Sequence, residues 1–326
     1  MSQTPAPAGT VSELLQQLKP NPNSGIVFPG QGSQNAGMGR EVSGSSATAT
    51  AIYDAADRIT GTSISTLCFD GPQDTLTATE NAQPAILATS LAILAAAIET
   101  GAISTRPAYM AGHSLGEYSA LVAAGAIDLD DALALVHERG RLMAEVGKEL
   151  GGTMAAVVGL DEDAVIAVCE ESGAEVANYN APGQIVIGGR VASVKHACAL
   201  AKERGGRGIA INVSGAFHTS LMDSAAERFA PRIEQAAIRD PQIPVIGNVS
   251  AQPLTTVEEV RADLAAQVRS PVRWYQSMDH LQIMGVTEVV EIGPGRVLTA
   301  QLKRSHPAMT SISLDEAEAL RSAASV

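Results

Sequence analysis

The sequence predicts an α/β protein: a large α/β domain over residues 21–149 and 215–326, interrupted by a small β-α-β-β-α-β unit over 150–214. Three observations predict it. Short apolar runs that do not alternate with polar residues, such as Ile26-Val27-Phe28 and "EVVEIG" at 288–293, read as strands buried on both faces. Longer stretches between them carry apolar residues at helical spacing. Finally, 45% of the 326 residues are hydrophobic but only 3% aromatic, so the core is Ala, Val, Ile and Leu, which suits helices packed on a buried sheet.

The elements follow in order. Residues 1–20 form a polar lead-in, expected to be a mobile tail with at most one short helix at 12–19. It lacks the basic stretch and apolar run of a secretory signal. A strand at 26–28 ends in a Pro-Gly turn, followed by Gly30, Gly32, Gly37 and Gly39. That loop is no dinucleotide fingerprint, because Asn35 stands where a third glycine is needed. Helices are expected at 49–60 and from Pro84 onward, where Ile86, Leu87, Leu91, Leu94 and Ile98 share a face. The apolar run 85–98 is too short to span a bilayer. Asp128 is expected to cap a helix reaching about residue 146. Gly151-Gly152 breaks the chain. The pattern from 153 to 211 then reads strand, helix, two strands around Asn-Ala-Pro-Gly, helix, strand, which is the split βαβ or ferredoxin-like unit. Beyond it come a helix at 220–237, a strand at 244–248, helices at 256–268 and 271–284, a strand at 288–293 and a helix at 296–304.

A net charge of −13 without a Lys/Arg cluster argues against a nucleic-acid partner. Cys68, Cys169 and Cys198 have no metal-ligand spacing and no even disulfide framework, so three reduced thiols in a cytoplasmic protein are expected, with no metal. No membrane association is expected.

"AGHSLGE" at 111–117 places Gly-x-Ser-x-Gly between an apolar strand and a helix. In that setting it is a nucleophile elbow: the glycines permit a tight strand-to-helix turn, Ser114 is exposed at the carboxyl end of the sheet, and the amide of Leu115 points at any oxyanion formed there. The alternative is a serine in an ordinary glycine-rich turn. A nucleophilic serine needs a base. Of His113, His137, His196, His218, His280 and His306, His218 stands out, because it lies in a loop between two folding units. No Asp stands in the Ser-Asp-His order of hydrolases, so a backbone carbonyl or an amide is expected to hold the imidazole. On the helix from 129, Arg139 falls on the face of Ala132, Leu133, Val136, Met143 and Val146, whereas Arg141, Glu138 and Glu145 fall opposite. An inward guanidinium is either half of a structural salt bridge or a fork for a ligand carboxylate.

Six motifs in one order, "VFPGQGSQ" (27–34), "GHSLGE" (112–117), "ERGRLM" (138–143), "NYNAPGQIVI" (178–187), "GAFHTSLM" (215–222) and "EIGPGRVLT" (291–299), resemble the malonyl-CoA:acyl carrier protein transacylases of fatty-acid synthesis, relatives of polyketide synthase acyltransferase domains. The resemblance runs from about Ile26 to Lys303 and implies an α/β-hydrolase-like large domain. It also implies Ser114 as nucleophile, His218 as base, the amides of Gln31 and Leu115 as oxyanion hole, and Arg139 as the grip on the malonyl carboxylate. Gln267, Asn178, His113 and Phe217 are implied as pocket or supporting residues. Phe217 resembles the malonyl-selective form of its loop. Arg273 departs from the family, where glutamine is common. The implied substrate is malonyl-CoA and the implied partner an acyl carrier protein with its phosphopantetheine thiol, with no bound cofactor. Arg269, Arg273, Lys303 and Arg304 are candidates for carrier docking. A monomer is expected. Ser114 and Arg139 are expected to face one cavity, with a three-carbon diacid between them. The rival readings are a thioesterase or esterase on the same elbow, a carrier-binding module with a decayed site, and a polyketide-pathway acyltransferase. A chain without flanking synthase domains is expected to serve fatty-acid synthesis.

Overall fold

The computed structural model describes residues 10–321. The chain begins with α1 (Val11–Gln16), β1 (Lys19–Phe28), α2 (Arg40–Ser45), α3 (Ala47–Thr60), α4 (Ile64–Asp70), α5 (Gln73–Thr77) and α6 (Thr79–Thr100). It continues through β2 (Thr105–Gly112), α7 (Gly116–Ala123) and α8 (Leu129–Leu150). The small unit comprises β3 (Gly152–Val158), α9 (Glu162–Ser172), β4 (Glu175–Ala181), β5 (Gln184–Arg190), α10 (Val191–Glu203) and β6 (Arg207–Ile211). After a 3-10 turn at Ser220–Met222 come α11 (Asp223–Gln235), β7 (Val245–Ile246), β8 (Pro253–Leu254), α12 (Val257–Gln267) and α13 (Trp274–Ile283). β9 (Glu288–Ile292), α14 (Val297–Ser305), β10 (Thr310–Leu314) and α15 (Glu316–Ala319) complete it.

The large sheet has the order β10-β9-β1-β2-β7-β8. Its first five strands are parallel and only β8 runs antiparallel, against β7. Ile26, Val27 and Phe28 are buried on both faces, which is why their run carries no polar alternation. α6 and α7 are buried nearly all round, so Ala-rich sequence lets helices and sheet approach closely. The four-stranded sheet of the small unit has the order β4-β5-β3-β6, all antiparallel. Val165, Val168 and Cys169 of α9 and Val194, Ala197 and Leu200 of α10 cover it, packing on Ala155, Val157, Ile185 and Ile187 as a core of its own. β4 is pinned to the large domain by two backbone bonds, from the Tyr179 amide to Val272 O (2.8 Å) and from the Val272 amide to Ala177 O (2.9 Å).

Four expectations change. Residues 10–20 are not a mobile tail: Thr10 and Glu13 form a capping box on α1, and Leu15 and Val11 are buried in the main core. Residues 1–9 of that expectation lie outside the described residues. β1 begins at Lys19, seven residues before the apolar run, because Lys19, Pro20 and Asn21 pair with Thr105, Arg106 and Pro107 despite their polarity. α6 begins at Thr79, not Pro84, so it is 22 residues long, and its most apolar 18-residue stretch has a mean hydropathy of 1.5; it is long and apolar enough to cross a membrane, but it lies buried within the core. Asp128 occupies the N-cap of α8 without capping it, since its carboxylate is taken by Arg239.

Leu15 is fully buried, so Leu15→Ala should cost about 2–5 kcal/mol, as for other core truncations. A thermal melt would read this as a lowered midpoint; an unchanged midpoint would mean that α1 does not pack on the core.

Candidate active site

The carboxyl ends of β1 and β2 lie side by side at the centre of the large sheet, where open α/β sheets place their ligands. β2 turns into α7 through Gly112-His113-Ser114-Leu115-Gly116, so tightly that a Cβ on Gly112 would lie 1.9 Å from the Gly116 carbonyl carbon, and one on Gly116 2.1 Å from Phe28 O. Ser114 sits at the apex with φ of 53°, a strained conformation for a residue with a side chain. The Asn248 side chain clamps the turn from both sides: the Ser114 amide donates to Asn248 Oδ1 (2.6 Å), and Asn248 Nδ2 donates to Gly112 O (2.7 Å).

His218, in the loop after β6, also has a positive φ, 61°. Its Nδ1 faces the carbonyl oxygen of Gln267 at 2.8 Å, the last residue of α12. A carbonyl only accepts, so Nδ1 carries the proton and Nε2 is the bare nitrogen. That nitrogen lies 2.7 Å from Ser114 Oγ and accepts its proton. Burial, followed by the charge of Arg139, pushes the His218 pKa from 6.5 down to about 3.

Arg139 is 1% exposed. Gly140 beside it lets α8 ride close over the start of α6, since a Cβ there would lie 2.8 Å from Thr79 O. Arg139 therefore reaches Gln83 of α6, donating from Nη1 to Gln83 Oε1 (2.8 Å). Nη2 donates to Gln267 Oε1 (2.8 Å) and to Ser114 Oγ (3.0 Å), and the Tyr118 ring lies 5.6 Å from the guanidinium carbon. Nε has no acceptor, and among the described residues no Asp or Glu comes within 4.0 Å to form an ion pair. The structural salt bridge is thus not what holds this side chain. Burial lowers the Arg139 pKa, against the raising influence of Tyr118 and Glu117, and guanidinium remains the form to be satisfied.

Gln31, His113, Ser114, Leu115, Arg139, Asn178, Phe217 and His218 all line one cavity of about 260 Å³ at the junction of the large domain and the small unit. Gln267 stands behind Arg139 rather than in the lining. Among the described residues, the amides of Gln31 and Leu115 donate to no protein acceptor. His113 Nε2 pairs with Asn180 Oδ1 at 2.8 Å, and burial lowers its pKa. Arg139 touches the serine directly, so the expected gap between the two side chains is absent, although both line the same cavity. Elsewhere, Arg269 pairs with Asp223 and Arg273 lies over the Tyr179 ring. The three cysteines are free, and the described residues contain no cluster of three or more His, Cys, Asp or Glu placed to hold a metal.

The model of the acyl transferase domain family matches residues 26–322. The chain belongs to the acyl transferase family. Among curated relatives, a malonyl CoA-acyl carrier protein transacylase of Bacillus subtilis is 43% identical over 301 residues, covering 90% of this chain and 94% of that protein. A crystal structure of the malonyl-CoA:acyl carrier protein transacylase of Xanthomonas oryzae pv. oryzae is 38% identical with a TM-score of 0.86, covering 92% of this chain and 96% of that one. A malonyl-transacylase in complex with its type II PKS acyl-carrier protein is 36% identical with a TM-score of 0.86, covering 91% and 98%. The acyl transferase site contains groups that sequence reading passed over. Gln83 lies on α6 ahead of Pro84, where the sequence pattern begins the helix, so no predicted face marked it as buried. Asn248 lies two residues beyond the short β7 strand, and nothing in its neighbourhood signals a clamp on a turn distant in the chain.

With Nε2 unprotonated down to about pH 3, Ser114 acylation by an activated ester should run at a constant rate from about pH 5 to 8. A fall centred near the ordinary histidine value would contradict the assignment. The same depression means that the unfolded chain takes up a proton first on acidification, so His218 removes stability progressively as pH falls from 6.5 to about 3.

Proposed function

We propose that the chain transfers a malonyl group from malonyl-CoA to the phosphopantetheine thiol of an acyl carrier protein, through a malonyl ester on Ser114. One observation carries this reading: a buried guanidinium with no carboxylate partner among the described residues lies 3.0 Å from the serine oxygen, and so awaits an anion at the acyl site.

His218 Nε2 takes the Ser114 proton as Oγ attacks the thioester carbonyl. The Gln31 and Leu115 amides receive the oxyanion, each worth about 3–4 kcal/mol of barrier. His218 returns the proton to the CoA thiolate as the C–S bond breaks. Arg139 holds the malonyl carboxylate, Asn178, His113 and Phe217 shape the cavity, and Gln267 backs the guanidinium. The carrier thiol then attacks the ester and the steps run in reverse, giving ping-pong kinetics. The chemistry needs no resident cofactor. A thioesterase would use the same serine and histidine but would leave Arg139 without purpose.

We read the large domain as α/β-hydrolase-like and residues 150–214 as a ferredoxin-like insertion that forms one wall of the cavity; the mostly parallel order of the large sheet and the antiparallel β4-β5-β3-β6 order support this. The carrier docks at the mouth of the cavity, and Arg273 with the α14 cations Lys303 and Arg304 are the side chains offered to its acidic surface. The enzyme acts as a cytoplasmic monomer and supplies fatty-acid synthesis. A polyketide carrier is the second reading, favoured by the 36% identity to the transacylase in complex with a type II PKS carrier.

Arg139→Ala should lower malonyl transfer by about 30-fold or more, the cost of truncating one partner of a buried charge pair, while shifting the preference toward acetyl. Ser114→Ala should abolish covalent labelling by malonyl-CoA in intact-mass spectra. An unchanged malonyl-to-acetyl ratio in the first variant would make Arg139 structural, and label retained in the second would move the nucleophile.

A further inference from the structure

Behind Arg139 lie two carboxyl groups for which the transfer chemistry has no use. Glu117, in the first turn of α7, is fully buried, and Asp263 of α12 is 6% exposed. Glu117 Oε2 accepts from the Asn248 amide (3.0 Å) and from Gln267 Nε2 (2.9 Å). Asp263 Oδ1 accepts from the Val249 amide (3.2 Å). The remaining oxygens, Glu117 Oε1 and Asp263 Oδ2, are buried and have no N–H or O–H donor among the described residues. The two carboxyl groups hang side by side on the consecutive amides of Asn248 and Val249, and each leaves one buried oxygen without a donor. Two carboxylates cannot satisfy one another, since both only accept; a proton shared between them does. The ionisable groups facing the pair are Arg139 and Tyr118.

These contacts set the direction of the Gln267 amide. Its Nε2 donates to Glu117 Oε2 and to Ser114 O (3.1 Å), which turns Oε1 toward Arg139. The Asn248 that clamps the serine turn hangs on the same Glu117 oxygen through its own amide. Glu117 thus supports both the guanidinium and the nucleophile without touching the reacting atoms.

We propose that Glu117 and Asp263 form a buried acid–carboxylate pair sharing one proton, with the proton on Glu117, and that Glu117 is a positioning residue which aims Gln267 at Arg139 while withholding a negative charge that would compete with the acyl carboxylate. This deepens the malonyl reading and rests on it for its effect on selectivity, though not for the proton. Burial, then the neighbouring Asp263 charge, raises the Glu117 pKa well above the usual carboxylate range. Asp263 is raised by burial and pulled back first by Glu117 and then by the amides of residues 248–250, so it is the group that keeps the charge.

Two substitutions of nearly unchanged size separate this from a packing role. In Glu117→Gln the new amide copies the protonated acid, with its oxygen accepting from Asn248 and Gln267 and its NH₂ donating to Asp263. In Asp263→Asn the new NH₂ donates to Glu117 instead and leaves it a permanent anion beside Arg139. E117Q should keep the malonyl-to-acetyl ratio of Ser114 acylation within about 2-fold, whereas D263N should raise KM for malonyl-CoA by about 10-fold and lower that ratio with little change in kcat for acetyl. Equal effects of the two, or damage confined to E117Q, would overturn the proposal. The proton is read independently of acyl transfer. Infrared spectra of protein with carbon-13 in its glutamate carboxyls should show an isotope-shifted carboxylic acid C=O band at neutral pH that E117Q and D263N both remove. If that band is absent from the wild type, the shared proton is wrong whatever the enzyme acylates. If it is present while malonyl and acetyl react alike, the pair stands and the malonyl reading fails.

Discussion

A buried cation with no anionic partner among the described residues is the constraint on which the site depends. Arg139 is shut away from water between α6, α7 and α12, and its protein acceptors are two amide carbonyl oxygens and a serine hydroxyl. Such an arrangement leaves a guanidinium under-neutralised. The fold tolerates it because Gln83, Gln267 and the face of Tyr118 each supply partial negative charge. What the protein withholds, a full carboxylate, is what a dicarboxylic acyl group brings. In the proposed transfer, discrimination against acetyl follows from that deficit, since a ligand without the far carboxylate leaves the cation as unsatisfied as before.

The same cation acts on the base. Burial, and after it this charge, lowers the His218 pKa to about 3, so at neutral pH the imidazole is uncharged beside the serine hydroxyl. The Gln267 main chain orients that imidazole and the Gln267 side chain supports Arg139, so one residue at the end of α12 holds both the histidine and the guanidinium. Both reacting residues also have positive φ, and the backbone strain is concentrated where the side chains have to converge from separate elements.

Much of this was legible in the sequence because the chemistry imposes local patterns. The elbow has to be Gly-x-Ser-x-Gly, and Arg139 declared itself by falling on an apolar helix face. The β-α-β-β-α-β unit showed through its strand and turn spacing. What stayed hidden depends on long-range contact. Nothing local marks Lys19-Pro20-Asn21 as strand, because their partner is Thr105-Arg106-Pro107. Asp128 looked like a cap until Arg239, far along the chain, took its carboxylate. Asn248 and Asp263 reach Ser114 and Glu117 only through the folded sheet. A polar residue whose partner lies more than a hundred positions away carries no periodic signal.

The most direct test of the central claim is a crystal structure of the trapped malonyl-Ser114 ester, formed by cooling the enzyme with malonyl-CoA in the absence of carrier. The account predicts that Arg139 releases the serine oxygen and forms paired hydrogen bonds to the malonyl carboxylate, which lies folded inside the cavity. A malonyl chain directed to solvent, with Arg139 still bound only to Gln83 and Gln267, would contradict it.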